Sequence, residues 1–275
     1  MDVFKIAAFS DGNSGGNPAG VVVADKLPNA DEMQAIAAEI GFSETAFATA
    51  QDNSWKVRYF SPETEVPFCG HATIALGAVL ARLRGDGRFE LSLNDATISV
   101  EGTQNGGLVS ATLQSPSTSS VKAKRELVQS ALNLFGYRAE DLDNRIPPSV
   151  ANAGATHLIL ALSSRELLSK MNYDLDSGRE LMHTAGLVTI SLIFAETEQM
   201  FHARNAFAVG GVLEDPATGA AAAALAGYLR DLDWPHNGAI NIIQGEDMGM
   251  KSLLKAEIPA AAGSSIRVSG TARMI

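Results

Sequence analysis

Three ionisable side chains stand beside glycine and turn residues in a way that could serve chemistry: Glu44 in Gly-Phe-Ser-Glu-Thr-Ala-Phe, His71 in Cys-Gly-His-Ala-Thr, and Asp215 in Glu-Asp-Pro-Ala-Thr-Gly. Glu44 is flanked by apolar residues just past a helix stop. Desolvation there would raise its pKa and suit it to proton transfer, whereas a solvated strand position would leave an ordinary surface carboxylate. His71 follows a glycine at a predicted helix start, as a proton shuttle, a ligand donor or a core residue. Asp215 lies just before Thr218 and Gly219. It either caps the next helix or holds a ligand amine, with Pro216 fixing the turn.

The backbone around these residues could also bind. A helix that starts inside a protein leaves unpaired N–H groups, and two such ends opening on one cleft would attract a carboxylate. The candidate ends are Cys69-Gly70-His71 and Thr218-Gly219-Ala220. Their glycines admit a ligand close to the backbone or merely allow tight helix–strand packing.

Other chemistries lack their signals. The five histidines show no close ligand spacing and no companion cysteine pair, so no metal is expected. There is no Gly-x-Gly-x-x-Gly between strand and helix, no Walker sequence and no Gly-x-Ser-x-Gly, so neither a nucleotide cofactor nor serine-hydrolase chemistry is expected. Cys69, the single cysteine, excludes an intrachain disulfide and fits a reducing compartment. With 21 Lys and Arg against 31 Asp and Glu, the net charge is −10, and the field disfavours nucleic acid and anionic membrane surfaces. Apolar residues at 46% and charged residues at 19% of 275 describe a globular chain. Without a signal-like N-terminus or an apolar run of spanning length, it is expected to be soluble and cytoplasmic.

The elements that must position these residues are readable by pattern. Val3–Phe9 and Val21–Ala24 read as a hairpin around a glycine-rich turn, and Ala30–Ile40 as an amphipathic helix stopped by Gly41. Strands are expected at 44–49, 55–60, 89–93, 97–101 and 108–114, with turns at Asn94-Asp95 and Gly102–Gly107. The run His71–Leu83 is apolar all round and must be a buried helix. Ser115–Ser120, small, polar and proline-bearing, reads as the domain linker. Beyond it, helices are expected near 125–135 and 177–184 and, buried, at 219–229, with strands at 149–152, 157–162, 187–194, 200–204, 240–244, 253–258 and 266–268.

Setting Gly70 on Gly219 aligns the two apolar helices, so that Leu76 meets Leu225 and Leu80 meets Leu229. Each follows a strand, an acidic turn and a proline. The fold class is therefore α+β: two pseudo-symmetric lobes, residues 1–115 and 121–263, each a mainly antiparallel sheet wrapped around a buried helix.

Taken together, Gly16-Asn17-Pro18, Ser43-Glu44-Thr45, Phe68-Cys69-Gly70-His71-Ala72-Thr73, Glu214-Asp215-Pro216-Ala217-Thr218-Gly219, Gln244-Gly245 and Met248-Gly249 resemble the PhzF-type phenazine-biosynthesis isomerase family in order and spacing. The resemblance implies the diaminopimelate-epimerase-like fold, an active site between the lobes, a last strand (264–275) returning to the first lobe, and a homodimer. It implies Glu44 as the catalytic acid/base, with His71 and Asp215 helping to bind substrate and move protons, and no metal or organic cofactor. Asn17, Cys69, Gly70, Thr218, Gly219 and Ala220 would contact a small carboxylic-acid substrate.

Two positions depart from the family pattern. Ala220 stands where a serine is often found after Thr-Gly, and Met250, beside Lys251, where an arginine commonly follows Met-Gly. The phenazine-pathway substrate, a dihydro-hydroxyanthranilate, therefore does not follow from the resemblance. Two other readings remain: a racemase or epimerase of an amino acid-like substrate with a base on each face, disfavoured because the partner of Cys69 in the repeat is Thr218, and a non-catalytic protein that binds small acids.

Overall fold

The structure is a computed structural model describing residues 2–94, 96–105 and 108–275. Of the expected turn residues, Asp95, Gly106 and Gly107 lie outside the described residues, as does Met1. The chain divides into two compact units, Met1–Gln114 with Ser269–Ile275, and Ser115–Val268.

In the first unit, β1 (Val3–Ser10) and β2 (Asn17–Val23) form an antiparallel hairpin with Ala8 opposite Asn17. The second strand begins at Asn17 rather than Val21, because Asn17–Gly20 completes the ladder with β1. The helix α1 (Ala30–Ile40) starts in a capping box, Asn29 with Glu32, and ends at Gly41 in the left-handed conformation at φ 71°. It buries Met33 and Ala37 against Val22, Phe47 and Phe60. Next come β3 (Thr45–Gln51), parallel to β2, and β4 (Ser54–Phe60), antiparallel to β3. Two-residue β5 (Glu65–Val66) pairs with the end of β4, and α2 (Gly70–Arg84) precedes the meander β6 (Gly87–Ser92), β7 (Thr97–Asn105) and β8 (Leu108–Gln114).

Every residue of α2 from His71 to Ala81 is buried, as its all-round apolar sequence requires. It packs on β1, β2, β7 and β8. The approach to β7 is close enough that a Cβ on Gly102 would strike the Gly77 carbonyl, so both glycines are there for packing.

In the second unit, β9 (Ser119–Lys122), α3 (Arg125–Phe135), β10 (Ser149–Asn152), β11 (Thr156–Ala161), α4 (Arg165–Ser169) and α5 (Leu175–Ala185) lead to β12 (Thr189–Ala195) and β13 (Met200–Ala206). Two-residue β14 (Glu214–Asp215) pairs with β13, and α6 (Gly219–Asp231), β15 (Ala239–Gln244) and β16 (Ser252–Glu257) follow. The ladder is antiparallel except for β11–β12 and β13–β15. The alanine-rich α6 packs on β9, β10, β11, β15 and β16. Alternate residues Leu158, Leu160 and Leu162 join Leu132, Phe135 and Met182 in a separate core with α3 and α5.

The small-polar stretch expected to be a linker is tied down. Ser115 and Thr118 are buried, Ser119–Ser120 opens β9, and the Thr118 hydroxyl donates to Ser264 O (3.0 Å) and accepts from Arg230 Nη2 (2.8 Å). The Ser120 hydroxyl likewise donates to Asp231 Oδ2 (2.6 Å).

The last strand, β17 (Arg267–Met274), is longer than the 266–268 read from pattern and falls within the 264–275 that the resemblance implies. Its end pairs antiparallel with β1, Ile6 opposite Met274 and Ala8 opposite Ala272. Among the described residues no helix is long and apolar enough to cross a membrane.

Candidate functional site

In the first unit, three short stretches converge on His71. After the stop at Gly41 the chain runs through Ser43 and Glu44 into β3, and Gly20 N–H donates to the Glu44 carbonyl (3.1 Å), which pins this residue at the mouth of the β2–β3 pair. The Glu44 side chain, 14% exposed, places Oε2 3.3 Å from His71 Nε2, itself 6% exposed. The Ser43 hydroxyl lies 3.3 Å from the same nitrogen, and Cys69 Sγ lies 3.4 Å from His71 Nδ1.

Cys69 occupies the N-cap of α2 in an extended conformation and makes no side-chain cap hydrogen bond. The first-turn amides of α2 thus have no carboxylate or hydroxyl cap from the residue best placed to give one. The helix start is held from behind: Thr73 donates both its N–H (3.0 Å) and its hydroxyl (2.7 Å) to the Cys69 carbonyl, and Tyr59 Oη lies 2.7 Å from Thr73 Oγ1. Burial pushes the Tyr59 phenol far above its usual pKa, so it stays a neutral hydrogen-bonding group. Asn17, buried at the start of β2, belongs to this unit as well. It follows Gly16 at φ 87°, where a Cβ would crowd the Ala8 carbonyl. Nearby, fully buried Phe9 holds φ 61°, a strained setting for a bulky residue, at the bulge between Ala8 and Ser10.

In the second unit the polar groups form a closed ring of contacts. Asp215, buried on β14, accepts the Thr218 hydroxyl at Oδ2 (2.5 Å). Thr218 N–H donates to Gln244 Oε1 (3.2 Å), while Gln244 Nε2 donates to Asp215 O (2.7 Å) and Thr218 Oγ1 (3.0 Å). Thr218 is the N-cap of α6 and makes no side-chain cap bond; Gly219 begins the helix and Ala220 is half-buried. Gly245, at φ 72°, lets the end of β15 approach the Pro216 turn, since a Cβ there would meet Pro216 O and Met250 O. Behind Asp215, Glu214 makes a two-toothed ion pair with Arg204, whose Nη1 donates to Ser169 O (3.0 Å) and Met171 O (3.2 Å).

The structure therefore brings Glu44, Cys69, Gly70 and His71 together in the first unit, and Asp215, Thr218 and Gly219 in the second. Sequence reasoning quoted Ser43, Thr73, Glu214 and Gln244 within motifs without giving them a role, and missed Tyr59 and Arg204. Gln244, next to a glycine at a strand end, carried the only local signal; Tyr59 looks like any core position of β4.

The family model for phenazine biosynthesis-like proteins, PhzC-PhzF, matches residues 6–275. The trans-2,3-dihydro-3-hydroxyanthranilate isomerase of Pseudomonas fluorescens is 30% identical over 96% of this chain and 94% of its own. A Bacillus anthracis phenazine biosynthesis protein of the PhzF family superposes with a TM-score of 0.86 at 21% identity, covering 100% of this chain and 98% of that one. A probable proline racemase from Agrobacterium radiobacter follows at 0.67 and 7%, covering 99% and 90%. These likenesses show an α+β fold shared by PhzF proteins and the racemase and epimerase group.

Proposed function

Because the chain belongs to the PhzC-PhzF family of phenazine biosynthesis-like proteins and is an isomerase, we propose that it moves a proton within a small carboxylic acid, with Glu44 as the single acid/base. The observation that carries this reading is the Glu44–His71 pair, 3.3 Å apart and nearly removed from solvent, on a residue whose backbone is pinned by Gly20. A carboxylate so held can take a proton from a carbon beside an unsaturated system and return it elsewhere on the same molecule, with no net change of charge or oxidation state. His71, in reach of both Glu44 and Cys69, orients the carboxylate and relays hydrogen bonding. Asp215 and Thr218 take polar groups of the substrate, and Gln244 holds them in register. Ala220 and Met250 depart from the pattern of the phenazine-pathway enzymes, so the dihydro-hydroxyanthranilate does not carry over and the proton-transfer machinery is open to another small acid.

One observation favours a second reading. Cys69 Sγ beside His71 Nδ1 resembles an activated thiol, which a two-base racemase would need; its counterpart Thr218, however, gives its hydroxyl to Asp215 and is no thiol. A panel of small unsaturated and amino acids in D2O, followed by NMR, tests the first reading. Any accepted substrate exchanges hydrogen with solvent in the wild type, and Glu44→Gln loses that exchange while retaining ligand binding. A Glu44→Gln protein that still exchanges at the wild-type rate overturns it.

A further inference from the structure

Among the described residues, Glu44, Cys69 and His71 each offer a donor atom, and the three atoms lie within 4.8 Å of one another. The two distances from the imidazole are close to those of a metal site. With zinc bonds of about 2.0–2.1 Å to nitrogen or oxygen and about 2.3 Å to sulfur, tetrahedral geometry sets N and O about 3.3 Å apart and N and S about 3.6 Å apart. His71 Nε2 is 3.3 Å from Glu44 Oε2 and 3.9 Å from Cys69 Sγ, which lies 3.4 Å from Nδ1, so closing the set on Nε2 requires the Cys69 side chain to turn from Nδ1 toward Nε2.

From this we propose that the cluster is also a binding site for one soft divalent transition-metal ion, zinc above all. Thiolate, carboxylate and imidazole together balance the charge of the ion, and a thiolate in the set selects zinc or cobalt over magnesium and calcium. All three side chains are buried or nearly so, and Gly20 and Thr73 fix the backbone on which two of them stand. Three protein ligands leave the fourth position to water or a substrate carboxylate. On binding, the Cys69 thiol gives its proton to solvent as the zinc–sulfur bond forms, and no electron changes hands. His71 Nε2 gives up its contact with Ser43. Binding itself stands on geometry; its consequence, that an occupied site blocks proton transfer, rests on the role proposed above for Glu44.

The full chain, stripped of metal with EDTA, is titrated with Co2+ as the spectroscopic probe and with Zn2+ against a chromophoric chelator. One equivalent should bind, with a thiolate-to-Co2+ charge-transfer band in the near ultraviolet. Cys69→Ser should abolish the band, and Cys69→Ser or His71→Gln should weaken zinc binding at least about 100-fold, beyond the typical cost of losing only an outer partner. His183→Ala, on the exposed side of α5, should change neither, and circular dichroism melts verify that each variant is folded. The proposal is overturned by a wild-type titration with no charge-transfer band, or by a band that persists in Cys69→Ser. Neither readout uses turnover. If Glu44→Gln still exchanges hydrogen while the wild-type band is present, the acid/base reading fails and the metal site stands; loss of exchange without a band is the reverse.

Discussion

The two helix starts are built alike and held differently. Both α2 and α6 begin with a glycine, run as mainly apolar residues buried over about three turns, and have an N-cap residue that makes no side-chain cap bond. At α2 the ionisable groups gather at 3.3–3.4 Å around one imidazole, with the carboxylate arriving from a loop beyond α1. At α6 the carboxylate, the hydroxyl and the Gln244 amide interlock at 2.5–3.2 Å. In the proposed reading the looser first cluster serves a proton that must move, and the interlocked second serves a surface that must keep its shape. On that reading, two copies of one helix end are divided between chemistry and positioning by the side chains that surround each.

That division can be broken in graded steps. The largest effect after loss of Glu44 itself is expected for His71→Gln, with kcat lowered about 100-fold and ligand affinity little changed, since the ring faces the acid/base. Steady-state kinetics with any accepted acid would show it, and a change confined to KM would move His71 to the binding side. Asp215→Asn should do the opposite, raising KM about tenfold, worth about 1.4 kcal/mol, because a charge in the interlocked set is lost while its shape is kept.

A third step concerns a buried histidine of the second unit. His157 is fully buried beside Thr189 (2.8 Å), and desolvation lowers its pKa to about 4. The folded protein therefore binds fewer protons at this site than the unfolded chain between about pH 6.5 and about 4. Stability should fall as pH drops through that window, by about 3 kcal/mol in all if the full shift applies. Urea unfolding at pH 7 and pH 4.5 should show a smaller loss in His157→Gln than in the wild type, and equal losses would remove His157 from the acid response. The smallest effect is expected for Tyr59→Phe, which deletes one buried hydrogen bond behind the Cys69 carbonyl and should cost about 1 kcal/mol in a denaturant titration.

Much of this was legible in the sequence because it is local. The capping box and Gly41 bound α1, and the all-round apolar runs announced α2 and α6 as buried helices. What escaped depends on partners far along the chain. Two residues have no periodicity, so β5 and β14 exist only through their pairing with β4 and β13, yet β14 carries Asp215. The polar, glycine-containing end of β17 carries no strand pattern of its own, so its pairing with β1 is expected only through the family resemblance. The units part between Gln114 and Ser115, at the start of the stretch read as a linker, but the bonds of the Thr118 hydroxyl to Arg230 and Ser264 were not legible. Glu44 could be joined to His71 from sequence only through the family resemblance, since nothing in their spacing brings a loop after one helix to the start of another.

The central claim, that the cluster at α2 transfers the proton through Glu44 and not through the thiol, is tested most directly by comparing Glu44→Gln with Cys69→Ser in one deuterium-incorporation experiment on a single accepted substrate. The account predicts that Glu44→Gln loses incorporation by at least about 100-fold while Cys69→Ser loses far less. Exchange that survives in Glu44→Gln and disappears in Cys69→Ser would contradict it and make the thiol the base.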